Sequence, residues 1–390
     1  MGEADEAPLQ GLKVADLSGG MAGPLCAMIL GDLGADVYKI ETVDRGDLTR
    51  YVDPTMFQAL NRNKRSLAVN LKEPRGLAAM QRLLPKLDVF IENFRPGVVD
   101  RLGLSYEAVD RANPSIVYAS FTGFGATGPD SQRRAVDQVA QAETGFFGLN
   151  GGPGGKPTPA RVTVVDVTGG LALVQGVLAA LFRRVRTGRG SRVETNLLDA
   201  ALFQQINGIA HYSSTGKEPG DQEPMGAPSG VFQTRDGAIY LGAFYQEHFE
   251  AACQIVGLGE LADDPAYANI ELRGRALARI NSLFAERLAE WNRADILREF
   301  EKAGLLFAAV KTYAETVASP QIQLNKTLFE MTGGDSTILG VHLPFRLDGD
   351  IGPAPKPPPR LGEHSTEILR ELGLSDSISS LLADGVVVQG

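Results

Sequence analysis

The sequence predicts an α/β protein in which a parallel β-sheet flanked by helices fills most of the chain and a smaller α+β domain comes late. Three observations carry this expectation. Short apolar runs alternate with helical patterns from Leu12 to about Arg186, the pattern of βαβ units with right-handed crossovers. The 45 glycines supply the tight strand-to-helix turns that such units need. Beyond residue 228 the texture changes to a hairpin followed by separate helices. A chain of 390 residues also exceeds one ordinary core, which makes two domains the natural division.

Leu12–Leu17 reads as the first strand. Gly19, Gly20 and Gly23 form the turn after it, and Pro24 opens a helix that runs to Leu33 and closes at Gly34, following the preference for Pro at a helix start and Gly just past its end. Ala35–Ile40 is the second strand. The alternation continues with a strand at Ser66–Leu71, a helix at Pro74–Leu84, a strand at Asp88–Glu92, a helix at Ser105–Arg111 and a strand at Ile116–Phe121, which ends in the glycine-rich Thr122–Pro129. A strand at Val162–Val165 is expected to lead into a long apolar helix from Val167 to about Arg186. These elements place the first part of the large domain at 1–211. Residues 212–228, rich in Gly, Pro and charge, read as a linker. Gly230–Phe244 reads as an antiparallel hairpin around Arg235-Asp236-Gly237, with helices near 246–256, 275–290 and 293–303, giving a small α+β domain at 225–325. Residues 326–390 carry a Pro-rich stretch at 353–359 and an amphipathic helix at Ser365–Leu372, and are expected to pack back on the large domain.

Composition narrows the function. The net charge is −9, so wholesale nucleic-acid binding is not expected, and an anionic small ligand would need a local basic cluster. Cys26 and Cys253 are the two cysteines. They form no disulfide framework and no zinc spacing, which fits a reducing, cytoplasmic setting. The four histidines are scattered without metal-ligand spacing, so no metal is expected. Residues 1–8 are polar and acidic rather than signal-like. The reading finds no apolar run long enough to span a membrane.

Several positions carry possible chemistry. The turn Gly19-Gly20-Met21-Ala22-Gly23-Pro24 can present backbone N–H groups to a pyrophosphate, and Glu41 ends the next strand where a dinucleotide fold places its ribose acid. The spacing is not G-x-G-x-x-G, and an ordinary tight turn fits equally well. Asn61–Arg65 is a dense basic run, followed by Lys72, with Arg95 and Arg101 flanking Gly97; it reads as a phosphate patch or as a solvated loop. Asp166 precedes Thr168, Gly169, Gly170 and the long apolar helix. Asp is a favoured N-cap. At the same place, a helix N-terminus would keep the carboxylate ionised, the two glycines would let a ligand approach, and an ionised, partly desolvated Asp can attack a thioester carbonyl. The residues leave both readings open. Arg183–Gly190 reads as C-terminal capping, and Asp137 follows an Arg133-Arg134 pair.

Taken in order, the stretches LQGLKVADL, AGP, LGADVYKIE, GDLTR, LNRNKRSLAVNLK, DVFIENFRPGVVDRLGL, GFGATGP, DQVAQAETG, DVTGG, RTGRG and RLGEHSTEIL resemble the family III CoA-transferases, the CaiB/BaiF group. That group includes formyl-CoA transferase and the carnitine CoA-transferases, with α-methylacyl-CoA racemase as a relative. The resemblance runs from about Leu9 to the chain end. It implies a Rossmann-like large domain built from both chain ends, a small domain inserted late, and an interlocked homodimer. It implies coenzyme A and acyl-CoA as substrates, a small carboxylic acid as acceptor, and no permanently bound cofactor. The family's nucleophilic aspartate falls on Asp166. Its CoA-lining positions fall on Met21, Ala22, Val69, Lys72, Asn93, Phe94 and Arg101, its supporting acid on Asp137 and a basic position on Arg134. The implied reaction proceeds through an aspartyl anhydride and an aspartyl-CoA thioester.

The departures carry expectations too. Thr42 stands where many members have Arg, and Met21 where formyl-CoA transferase has Gln. The glycine-rich loop of that enzyme has no counterpart between 212 and 245, and the small domain's usual Pro-containing turn reads Leu305–Ala309. These differences argue against formyl-CoA and oxalate and for a more apolar acid pocket. Three alternatives compete. An acyl-CoA racemase or epimerase would need a second acid/base group, yet Val136 stands where the racemase has His. A nicotinamide-dependent dehydrogenase lacks its glycine fingerprint, and a silent acyl-CoA-binding protein would have no need of Asp166.

Overall fold

The computed structural model describes residues 7–151, 155–218, 226–333, 336–350, 352 and 355–390. Part of the linker at 212–228 and part of the Pro-rich stretch at 353–359 lie outside the described residues. The chain divides into two compact units, one formed by residues 1–220 with 326–390 and the other by 221–325.

The strands in chain order are β1 (Lys13–Asp16), β2 (Asp36–Glu41), β3 (Lys64–Val69), β4 (Val89–Glu92), β5 (Val117–Thr122), β6 (Ser191–Asn196), β7 (Ser229–Thr234), β8 (Gly237–Gly242), β9 (Leu306–Ala309), β10 (Leu328–Gly333), β11 (Ser336–Val341) and β12 (Val387–Val388). The first unit holds a seven-stranded sheet in the order β12-β3-β2-β1-β4-β5-β6, parallel throughout except for β12 against β3. Strand order runs one way from β1 to β3 and the other way from β4 to β6, so it reverses between β1 and β4.

Both faces of this sheet are covered, as a parallel sheet requires. Val14, Val37, Val89, Ile91, Val117 and Ala119 face the helix Ala22–Asp32 and the long helix Val164–Thr187. The alternate residues Ala15, Tyr38, Leu67, Phe90 and Tyr118 face a second core, to which Ala79, Val109, Ile368 and Leu381 contribute from four further helices. The chain's end closes the sheet edge: Val387 pairs with Val69, and the Ala68 N–H donates to Ser365 Oγ at 3.1 Å. The second unit has a three-stranded sheet, β7-β8-β9, packed on helices Gln246–Ile255, Leu277–Leu288 and Arg293–Lys302.

Several elements differ from the sequence reading. Val162–Val165 is no strand; the long helix already begins at Val164, because a buried carboxylate elsewhere in the chain accepts its first free amides. The strand that completes the sheet is β6, whose residues alternate between exposed and partly buried, with Arg192 and Glu194 outward. That polar edge pattern hides it among loop-like residues. Helices Leu197–Gln204 and Ile206–Thr215 follow it, so the first residues assigned to the linker end a helix. Leu306–Ala309 pairs with β8 instead of turning. The helix Val164–Thr187 is long and apolar enough, by length and composition, to cross a membrane, which corrects the expectation that no apolar run reaches that length. Its Val165, Leu173, Val174, Val177 and Leu181 are buried in the first core.

A cluster of charges lies inside the large unit. Asp16 ends β1 and pairs in register with Lys39 on β2. Asp16, Lys39 and Lys64 are at most 3% exposed. Lys64 Nζ lies 2.8 Å from Asp16 Oδ2, 2.9 Å from the Pro24 carbonyl and 2.8 Å from Asn61 Oδ1. Lys39 Nζ lies 3.5 Å from Asp16 and 3.0 Å from Asp47. Burial alone would raise the Asp16 pKa, but the attraction of Lys39 and Lys64 outweighs it and holds the carboxyl at about 2. Burial pushes Lys64 the other way, down to about 8. Because the folded pKa of Asp16 is depressed, its contribution to stability is complete above pH ~4 and is lost as pH falls toward 2, a difference of about 2 kcal/mol. Asp16→Asn leaves the buried Lys64 without its ion-pair partner and Lys39 with Asp47 alone, so urea denaturation at neutral pH should show a loss of about 3–5 kcal/mol. The variant's stability should also vary less between pH ~4 and 2; an unchanged midpoint would remove the cluster from the account of stability.

Candidate active site

Where strand order reverses in a parallel sheet, the loops leaving adjacent strands diverge and open a crevice. Here those loops are the turn after β1 and the segment after β4. Gly20 takes φ +79°, a conformation that a side chain resists. Its N–H donates to Asp47 Oδ1 at 3.3 Å. The Gly19 N–H donates to Asn93 Oδ1 at 2.9 Å, and Asn93 Nδ2 donates back to the Gly19 carbonyl at 2.6 Å. Lys39 Nζ donates to the Ser18 carbonyl. The charge cluster and Asn93 therefore fix the turn from below and from the side.

A cleft of about 1130 Å³ opens beside this turn, lined by Leu17, Ile40, Val69, Lys72, Phe94 and Arg101 among others. It lies at the carboxyl ends of β1 to β4. Lys72 and Arg101 are exposed and form no ion pair among the described residues. The carboxylates on the cleft are mostly occupied: Glu41 is gripped by Arg50 at 2.8 and 2.7 Å, and Glu73 holds Arg75 at 3.1 Å. The cleft thus presents two free cations on a chain of net charge −9, a local reversal that suits an anionic ligand. The basic run upstream does not contribute to it. Arg62 pairs with Asp32, Lys64 with Asp16, and Arg65 with Asp36, Glu367 and Glu371. That run is neither a phosphate patch nor a solvated loop.

On the other side of the turn stands Asp166. Thr163 Oγ1 donates to Met21 Sδ at 2.8 Å, which ties the turn to the start of the long helix. Asp166 sits in the helix's first turn, not at its N-cap. Its carboxylate accepts no hydrogen bond from the described residues. Burial first, and then the like charge of Asp137, push its pKa up to about 6. The sequence reading had the helix terminus holding this carboxyl ionised; burial and repulsion win instead, and Asp166 is mostly ionised only above pH ~6.

The cap comes from another helix. Asp137 is 1% exposed, and its Oδ2 accepts the Val165 N–H at 2.8 Å and the Asp166 N–H at 2.9 Å. Its Oδ1 accepts from Gln141 Nε2. Gln204 Nε2, from the helix Leu197–Gln204, bonds the Val164 carbonyl at 2.7 Å and Thr168 Oγ1 at 2.5 Å. Gly169 and Gly170 do not open a path for a ligand. Both are buried; a side chain at Gly169 would strike Phe121, and one at Gly170 would come 2.8 Å from the Ala22 carbonyl oxygen.

The structure therefore brings Met21, Asn93, Asp137 and Asp166 around one turn, and Val69, Lys72, Phe94 and Arg101 around the adjoining cleft. Ala22 is buried. Arg134 is exposed on the loop before the Asp137 helix and touches none of these residues through an ion pair or hydrogen bond among those described. Val136, next to Asp137, is exposed and has no proton to give. Asp47, Gln141 and Gln204 were missed by sequence reasoning. For Gln141 the signal was present, since Asp137 and Gln141 are four residues apart and share a helix face. No group of three or more potential metal ligands occurs among the described residues.

The family described as CoA-transferase family III matches residues 9–365. The succinyl-CoA:glutarate CoA-transferase of Mus musculus is 35% identical over 400 residues, covering 98% of this chain and 91% of that protein. The acetyl-CoA:oxalate CoA-transferase of Acetobacter aceti is 33% identical, covering 95% of this chain and 97% of that protein. Among solved structures, a CAIB/BAIF family protein from Brucella suis superposes with a TM-score of 0.87 at 33% identity, covering 94% of this chain and all of that one.

The packing under Asp166 is open to a direct check. Gly→Ala inside a helix ordinarily stabilises by about 0.5–1 kcal/mol. At Gly170 the new methyl would meet backbone oxygen at 2.8 Å, and overpacking costs about 1–3 kcal/mol. Gly170→Ala should therefore lower the thermal midpoint; a rise would show that the two helices can separate freely.

Proposed function

The chain belongs to CoA-transferase family III, and from that premise we propose that it moves coenzyme A from an acyl-CoA to a free carboxylic acid with Asp166 as the covalent nucleophile. The observation that supports this most directly is the Asp166 carboxylate itself, partly buried and without a hydrogen-bond donor among the described residues, on a helix whose start is tied through Thr163 to the turn after β1. An Asp166 oxygen attacks the thioester carbonyl, and the C–S bond breaks to release CoA thiolate and leave a mixed anhydride. The thiolate attacks the Asp166 carbonyl of that anhydride, which frees the first acid and leaves an aspartyl-CoA thioester. The acceptor carboxylate attacks this thioester, forms a second anhydride and releases thiolate, and the thiolate then takes up the new acyl group and restores Asp166. Each step exchanges one activated acyl bond for another, so the reaction needs no external energy source, provided water is kept from the anhydrides.

In this reading Lys72 and Arg101 serve the phosphates of CoA. Relatives named for succinyl-CoA with glutarate and for acetyl-CoA with oxalate make small dicarboxylic acids the acceptors to test first, against the more apolar acid suggested by Met21. We also propose a homodimer. Phe182, Val185, Phe203 and Ile206 lie on the long helix and the two helices after β6, and they leave 61–84% of their surface exposed, an apolar area that suits burial against a second copy. A monomer by light scattering at micromolar concentration would end that proposal.

Asp166→Asn keeps the side chain's size but removes the attacking anion. Turnover should fall by several orders of magnitude with little change in stability. Wild-type enzyme mixed with acyl-CoA should carry a hydroxylamine-sensitive adduct on the peptide containing Asp166, and its rate should fall as pH drops below ~6, where the carboxylate takes up a proton. Lys72→Ala and Arg101→Ala should raise KM for acyl-CoA more than they lower kcat. An active Asn variant, or an adduct mapped elsewhere, would overturn the assignment of Asp166.

A further inference from the structure

We propose that Gln141 is a positioning residue for the transfer reaction, holding Asp137 so that this carboxylate can seat the backbone of Asp166. The proposal rests on Asp166 as nucleophile and goes beyond it. Gln141 is fully buried. Its Nε2 donates to Asp137 Oδ1 and, at 3.4 Å, to the Ala160 carbonyl, while its Oε1 accepts the Ala160 N–H at 3.0 Å. The Ala160 N–H can only donate, so the orientation of the amide is fixed by its partners. One neutral side chain thus links the Asp137 helix to the segment that leads into Asp166.

The chemical type matters at this position. The buried Asp137 carboxylate has three N–H donors, two backbone amides on Oδ2 and one side-chain amide on Oδ1. Gln supplies its share of those donors without adding a positive charge. An Arg or Lys there would hold Asp137 as firmly but would cancel the like charge that keeps Asp166 basic. Among the described residues, the like charge that adds to burial in raising Asp166 is Asp137. The other charged groups near the pair on the surrounding segments, Glu143, Lys156, Arg161 and Asp199, are exposed. Gln141 therefore serves two ends: it fixes the backbone of the nucleophile, and it preserves the negative neighbour that raises the nucleophile's proton affinity.

Two variants test this through the pH dependence of the first half-reaction, followed as free acid released from acyl-CoA in a single turnover. Gln141→Met leaves Asp137 Oδ1 buried without a donor, so the carboxylate should no longer be held against the Asp166 amide and Asp166 should titrate lower. The acid limb should move down by about half a unit to one unit, with a plateau roughly tenfold slower. In Gln141→Glu the two carboxylates should share one proton, which mimics the amide. That variant should run near the wild-type rate at low pH and show an alkaline limb that the wild type lacks. A purely structural Gln141 would slow both folded variants equally at every pH, leave the acid limb in place and give the Glu variant no alkaline limb, and that result overturns the proposal. Should the Met variant fail to fold, the alkaline limb of the Glu variant decides alone. Adduct mapping separates the two levels. An Asp166 adduct with unmoved limbs removes only the role of Gln141, whereas absence of that adduct in wild type removes the nucleophile as well.

Discussion

The ion pairing of Asp16 with Lys39 and Lys64 is the constraint from which the site's geometry follows. Three charges buried in one place are tolerable only when each finds a partner, and meeting that demand fixes the ends of β1, β2 and β3 relative to one another. The same lysines reach further. Lys64 bonds the Pro24 carbonyl in the first helix, and Lys39 bonds the Ser18 carbonyl in the turn. Asp47 completes the set by pairing with Lys39 and accepting the Gly20 N–H. The turn beside Asp166 is therefore held by charge-assisted bonds, and a glycine with positive φ is available there because the surrounding network removes the freedom that would otherwise destabilise it.

The cleft follows from topology and from how the charges are distributed. Reversal of strand order between β1 and β4 places a crevice at their carboxyl ends, whatever the sequence lining it. What makes this crevice suit an anion is selective pairing. The arginines and lysine of the run at 62–65 are all tied to acids within the fold, while Lys72 and Arg101 on the cleft form no ion pair among the described residues. A chain of negative net charge can in this way present positive charge locally.

Much of this was legible in the sequence, and the failures have physical reasons. Strands β1 to β5 are apolar runs bounded by Gly, Pro and Asn, because a sheet covered on both faces requires them. β6 escaped because it is an edge strand whose outward residues are Arg192 and Glu194. The Val162–Val165 run misled because two β-branched pairs resemble a strand, while the true determinant, a carboxylate 28 residues earlier bonded to the Val165 amide, has no local signature. Gly169 and Gly170 read in the sequence as room for a ligand, and that reading fails. What approaches is Phe121 and the Ala22 carbonyl, since spacing cannot tell a neighbouring helix from a ligand.

The sequence offered Asp166 as either a helix cap or a nucleophile, and in the structure another carboxylate, Asp137, is the cap. A cap is worth about 1 kcal/mol, and Asp137 supplies it from another helix. Asp166 is thereby released from bonding to its own backbone, and no donor among the described residues competes for its lone pairs. The helix terminus would favour the anion by about 0.3–1 kcal/mol. The rise of Asp166 to a pKa of about 6 corresponds to about 3 kcal/mol in the opposite sense, so desolvation and the neighbouring charge prevail. A carboxylate tuned in this way is more basic than a solvent-exposed one yet still largely ionised near neutral pH. Had Asp166 capped its own helix, the bonds that stabilised the protein would have quenched the group, and the two requirements are met together only because a second acid, itself held by a neutral amide, takes the structural role.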